Sequence, residues 1–127
     1  MSATRRFRTS VEARDLDAVM ELFAEDATFH SPVVFKPYEG RDAIRMILES
    51  IIQVLPDLHY IDELTSWDRA IFVFEGTTSS DRKVTGIDYL TVKDGMITDL
   101  TVFIRPMSGL TAVAEEMKAM LEAAGAI

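Results

Sequence analysis

Asp88 is the side chain in this sequence best placed to do chemistry. It stands within Thr85-Gly86-Ile87-Asp88-Tyr89-Leu90-Thr91-Val92, where strand alternation puts it on one face with Gly86 and Leu90. A carboxylate on an apolar strand face is solvated, paired, or raised in pKa by desolvation. The raised form is a proton donor near neutral pH, and the plain alternative is a solvated strand Asp. His30 and Ser31 are adjacent candidates, because an imidazole can carry a proton near neutral pH and a hydroxyl can donate or accept. Alternation sends these two to opposite sheet faces, so one of them points inward unless Pro32 introduces a bulge. The other reading of His30 is a surface or dimer-facing histidine. Glu75 interrupts the apolar run Ile71-Phe72-Val73-Phe74-Glu75. If Ile71 and Val73 face a cavity, Glu75 does too, where it could share a proton with Asp88 and act as a general acid; otherwise it is a rim carboxylate in water.

Around these groups the expected binding wall is apolar. Phe29, Leu90, Leu100, Val102 and Ile104 are its expected members, with Arg105 at a strand end able to swing over the mouth toward an anion. By parity Arg105 shares a face with Phe103, which makes the two the interface or rim set. Trp67 reads as a core or interface residue, and His59 as a surface one.

The elements that must position these side chains follow from period and punctuation. Residues 3–13 predict a short helix, and Asp15 caps a second one in which Leu16, Val19, Met20 and Phe23 form a stripe. Residues 27–31 predict a short strand stopped by Pro32, and 32–40 a loop. Asp42 opens a third helix with Ile44, Ile47, Leu48 and Ile51 buried. From Leu58 onward the period becomes two, giving strands at about 58–67, 69–79, 83–93 and 96–105. Asp94-Gly95 between two alternating runs marks a hairpin. After Gly109 a last helix carries Leu110, Val113, Met117, Met120 and Leu121 on one stripe, and the final Ala-Ala-Gly-Ala-Ile is expected to fray. Helices, a strand, a helix, then a meander and a tail helix predict one α+β domain over 1–127: a curved antiparallel sheet with helices on one face, a cone-shaped half-barrel.

Composition narrows the partners. With 127 residues, a hydrophobic share of 48% and a formal charge of −8, the chain suits one core and not a phosphate backbone. The basic cluster Arg5, Arg6 and Arg8 reads as a solvated helix face. The absence of cysteine excludes disulfides and thiolate chemistry, and two histidines with scattered carboxylates make no metal set. No stretch approaches the ~18–20 apolar residues of a membrane span, and no leader is evident, so a cytoplasmic location, no nucleic acid and no membrane partner are expected.

Several of these residues together resemble a known superfamily. Glu12–Ser31, with Asp-Leu-Asp at 15–17 and Leu-Phe-Ala-Glu-Asp-Ala at 22–27, is followed by Pro32, Gly40-Arg41-Asp42-Ala43-Ile44, Gly86-Ile87-Asp88-Tyr89 and Asp94-Gly95. This resembles the nuclear transport factor 2-like superfamily, with its ketosteroid isomerases, limonene epoxide hydrolase and SnoaL-like polyketide cyclases. The resemblance implies the cone, a pocket at its open end and commonly a dimer across the outer sheet face; Phe72, Phe74 and Phe103 are the apolar residues expected there. It also implies for Asp88 the place of a protonated acid that donates to a substrate oxyanion. Ser31 stands where the isomerases carry their proton-shuttling Asp, Phe7 where they carry a tyrosine donor, and Gly86 and Val102 where the hydrolase carries further groups. The expected function is therefore a pocket protein for a hydrophobic small molecule: an isomerase, cyclase or hydratase working by acid–base chemistry without a cofactor. A non-catalytic binding module or a dimeric scaffold is the alternative.

Overall fold

The computed structural model describes residues 2–125; of the tail expected to fray, Ala123 closes the last helix and the final two residues lie outside the described ones. Helix α1 (Ala3–Glu12) starts where the Ser2 side chain accepts from the Arg5 amide. Helix α2 (Leu16–Glu21) is capped by Asp15, whose carboxylate accepts from the Ala18 amide at 3.1 Å. Strands β1 (Phe23–His30) and β2 (Tyr38–Glu39), helix α3 (Arg41–Val54), strands β3 (His59–Ser66), β4 (Arg69–Thr77), β5 (Lys83–Lys93) and β6 (Met96–Arg105), and helix α4 (Met107–Ala123) follow. The six strands make one curved sheet in the order β2-β1-β6-β5-β4-β3. The Asp94-Gly95 hairpin forms as expected, both residues holding positive φ of 52° and 78°.

The sequence reading needs five corrections. The sheet is mixed, because β1 runs parallel to β6, with Phe29 beside Leu100 and His30 beside Thr101. Phe23 belongs to β1 and not to the helical stripe; its ring is fully buried against Phe7, edge to face at 6.4 Å. The 32–40 segment is not wholly loop, since Tyr38 and Glu39 add a two-residue edge strand to β1. The last helix begins at Met107, so Gly109 lies inside it and packs against β5.

A fifth correction concerns which way β4 faces. Phe72 lies opposite Asp88 and Phe74 opposite Gly86, so these aromatics point with Asp88 into the core, where they are fully buried. Ile71, Val73 and Glu75 therefore face outward. Both faces of β4 are apolar, so hydrophobic pattern alone does not set its parity; pairing with β5 does. Of the three phenylalanines expected on the outer face, only Phe103 is there. Phe7, Phe23, Tyr60, Phe72 and Phe74 form an aromatic cluster under α1, and α3 and α4 close the side of the cone.

Candidate functional site

The helices and the concave sheet face enclose a cavity of about 490 Å³. Its wall is mostly apolar. Phe29, Leu100, Val102 and Ile104 come from the sheet, Ile47 and Ile51 from α3, and Val113 and Met117 from α4. From Leu100 onward the inward residues of β6 are the even-numbered ones, as its pairing with β1 and β5 requires; before the register shift, Ile97 is the buried one.

Asp88 is in this wall with only 8% of its surface exposed. Its Oδ2 accepts a 2.6 Å hydrogen bond from the Tyr60 hydroxyl, itself buried at the start of β3. Desolvation pushes the Asp88 carboxyl up to about 7, and the Tyr60 hydrogen bond, favouring the ionised form, pulls against it. Burial foremost, then the Asp88 charge, holds the Tyr60 phenol well above its ordinary value, so it stays a neutral donor. The second oxygen, Oδ1, makes no hydrogen bond among the described residues and is not fully buried.

Tyr60 went unread in the sequence. It lies across from Phe74, which lies across from Gly86, two residues from Asp88. That register depends on a bulge between Tyr60 and Asp62, which no local pattern announces. The backbone of Tyr60 is also fixed from α1, since the Glu12 carboxylate accepts from its amide at 3.1 Å. Phe7, standing where the resemblance expects a hydroxyl donor, packs against the Tyr60 ring at 6.4 Å. The phenol therefore reaches the acid from β3, not from the first helix.

The remaining candidates divide by parity. Ser31 borders the cavity, but its hydroxyl accepts from the amides of Val33 and Val34 at 3.1 and 2.8 Å and so shapes the loop. His30 turns to the outer face, where Nε2 meets Asp99 Oδ1 at 2.9 Å; Asp99 also accepts from Thr28 and Thr101. It does not share the cavity with Asp88. Glu75, expected beside Asp88, is half exposed on the outer face, 3.6 Å from His59. Arg105 is exposed on that face as well, opposite Thr85, and does not border the cavity. Leu90 shares the Asp88 face but is fully buried in the core and does not reach the cavity. Trp67, read as core or interface, is not in the core: it sits fully exposed with φ of 54° at the β3–β4 hairpin. Among the described residues no group of three acidic or histidine side chains could hold a metal ion. No helix among them is long and apolar enough to cross a membrane.

An open, curved sheet wrapped by helices around one apolar cavity, with a buried acid in its wall, defines a protein of the nuclear transport factor 2-like class. The SnoaL-like domain model matches residues 4–100, and the chain belongs to that family. It is similar to a steroid delta-isomerase from Pseudomonas aeruginosa, with 34% identity and a TM-score of 0.91 over 98% of this chain and 93% of that one. A protein with a cystatin-like fold from Silicibacter pomeroyi is 25% identical, with a TM-score of 0.89 over 94% and 85% of the two chains. An NTF2-like protein of unknown function from Mesorhizobium loti, 22% identical, shares the fold with a TM-score of 0.72 over 82% and 88%. No curated protein sequence matches the chain.

Proposed function

We propose that this protein is an isomerase or cyclase that moves a proton on a hydrophobic carbonyl compound held in the cavity, with Asp88 as the proton carrier and Tyr60 as its hydrogen-bonding partner. The observation that carries the reading is a carboxyl buried in the apolar wall of the cavity, one oxygen held by a phenol and the other without a hydrogen bond among the described residues. A group titrating near 7 is populated both as base and as acid at working pH, which is the optimum for general acid–base catalysis. In the ionised form, Oδ1 takes the proton from the carbon α to the carbonyl, and the C–H electrons become the enolate. Asp88, now neutral, returns the proton to the carbon at the far end of the conjugated system, which completes an isomerisation. In a cyclisation the enolate attacks a second carbonyl of the same molecule, and the proton goes to the alkoxide formed. Neither route needs His30, which lies on the other side of the sheet, or a free Ser31 hydroxyl.

The test uses 1-tetralone, an apolar bicyclic ketone, in deuterated buffer with exchange at its α carbon followed by NMR. The protein is expected to accelerate exchange, with the rate rising through a midpoint near pH 7 as the base form of Asp88 appears. Asp88→Asn should fall to the buffer rate, a loss of roughly 100-fold or more. Exchange by Asp88→Asn as fast as by the natural sequence would remove Asp88 from the reaction.

Two copies are further proposed to associate through the outer sheet face. Phe103 and Leu64 are 55% and 61% exposed there, on the same side as Ile71, Val73 and Ile87. Apolar groups gathered on one exposed sheet face favour burial against a like surface. Sedimentation should find a dimer at micromolar concentration and a monomer for Phe103→Glu; a natural sequence that sediments as a monomer refutes the pairing.

A further inference from the structure

We infer that the cavity selects ligands that carry a carboxylate, read by Arg14, in addition to the carbonyl or hydroxyl group presented to Asp88. This inference rests on the proposed reading of the cavity as a small-molecule site. Arg14 follows α1 in a left-handed conformation, φ 59°, and forms part of the cavity wall. Its guanidinium is anchored by neutral partners: Nη1 donates to the Val11 carbonyl at 3.1 Å, and Nη2 to those of Pro56 and Leu58 at 2.7 and 2.8 Å. Three of its five N–H groups are used, leaving Nε–H and one Nη1–H.

Its charge is not neutralised. Arg8, Arg45 and Arg69 each meet a carboxylate, whereas Arg14 forms no ion pair among the described residues. A half-buried cation beside an apolar space costs solvation that a bound anion would restore. The planar fork of a guanidinium, already immobilised by three carbonyls, suits a carboxylate better than a mobile ammonium does.

The neighbouring charged groups do not take this role. Glu12 is occupied by the Tyr60 amide and by Arg8. On α4, Glu115 is exposed, and Lys118, also exposed, stands 3.9 Å from Glu122. These two are rim charges of opposite sign. The expected ligand class is therefore an apolar aromatic or alicyclic acid with a carbonyl or hydroxyl elsewhere on its frame.

Binding of three fluorescent probes at pH 6 tests this: 6-hydroxy-2-naphthoic acid, its methyl ester, and 2-naphthol. The acid should bind about ten-fold or more tightly than the ester, which has nearly the same shape without the charge. In Arg14→Gln the acid should fall to the affinity of the ester while 2-naphthol stays unchanged, and Lys118→Gln should keep the preference. Equal binding of acid and ester by the natural sequence overturns the inference, as does a preference that survives Arg14→Gln. If Arg14→Gln loses 2-naphthol too, the three carbonyls have lost a structural partner; the acid–ester comparison in the natural sequence and in Lys118→Gln then decides. Failure of all three probes to bind the natural sequence would instead sink the small-molecule reading itself.

Discussion

Asp88→Asn should leave the protein about as stable as the natural sequence near pH 4, and more stable than it at pH 8 by roughly 4 kcal/mol. The sign follows from linkage. The folded state holds the Asp88 proton up to about pH 7, whereas the unfolded chain releases it near 3.8. The raised carboxyl thus contributes stability that is complete below the unfolded value and is lost as pH climbs between the two, reaching roughly 4 kcal/mol at about 1.4 kcal/mol per pH unit. Asparagine stays neutral throughout, still accepts from Tyr60, and should flatten the slope. Urea unfolding at several pH values measures it. Parallel curves for the two proteins across pH 4–8 would show that Asp88 ionises in the folded state as it does in water, and the proton-transfer mechanism would go with it.

Gly86→Ala is expected to be the most damaging small substitution near the site. A Cβ at Gly86 would fall 2.2 Å from Phe74 Cζ and 2.6 Å from the Phe103 carbonyl oxygen. The ring lines the cavity, so displacing it disturbs that wall, and the carbonyl belongs to the backbone of β6. Overpacking of this kind costs roughly 1–3 kcal/mol, more where backbone must shift. The expected result is a thermal midpoint lower by several degrees together with weaker binding of bicyclic probes. An alanine variant that melts and binds like the natural sequence would show that the ring and strand give way freely.

Both predictions turn on inward-facing side chains, and it was there that the amino-acid sequence was partly readable. Asp88 between Gly86 and Leu90, and the alternation of Leu100, Val102 and Ile104, were legible because each strand has one polar or small set to contrast with an apolar one. β4 was not, since Ile71 and Val73 are as apolar as Phe72 and Phe74, and only register against β5 distinguishes them. Reading that strand the wrong way brought Glu75 inside and sent two core phenylalanines out. Tyr60 escaped for a related reason: its approach to Asp88 spans three strands and a bulge, a relation that exists only after pairing. Arg14 carries no local signal, because two of its three carbonyl partners come from segments more than 40 residues away and the third from α1. The parallel β1–β6 pairing had no local signature either, because it joins the first strand to the last.

The two margins of the sheet limit how copies of this chain can come together. One margin is β2, only two residues long, and the other is β3, bulged at Ile61 and carrying Asp62 and Glu63. Neither offers a long, flat row of free amides and carbonyls on which another molecule's strand could add. Growth by strand addition, which has no natural end and leads to fibres, is thereby discouraged. The proposed pairing through the outer face has the opposite character, because a face that meets its own image across a two-fold axis is used up by the second copy.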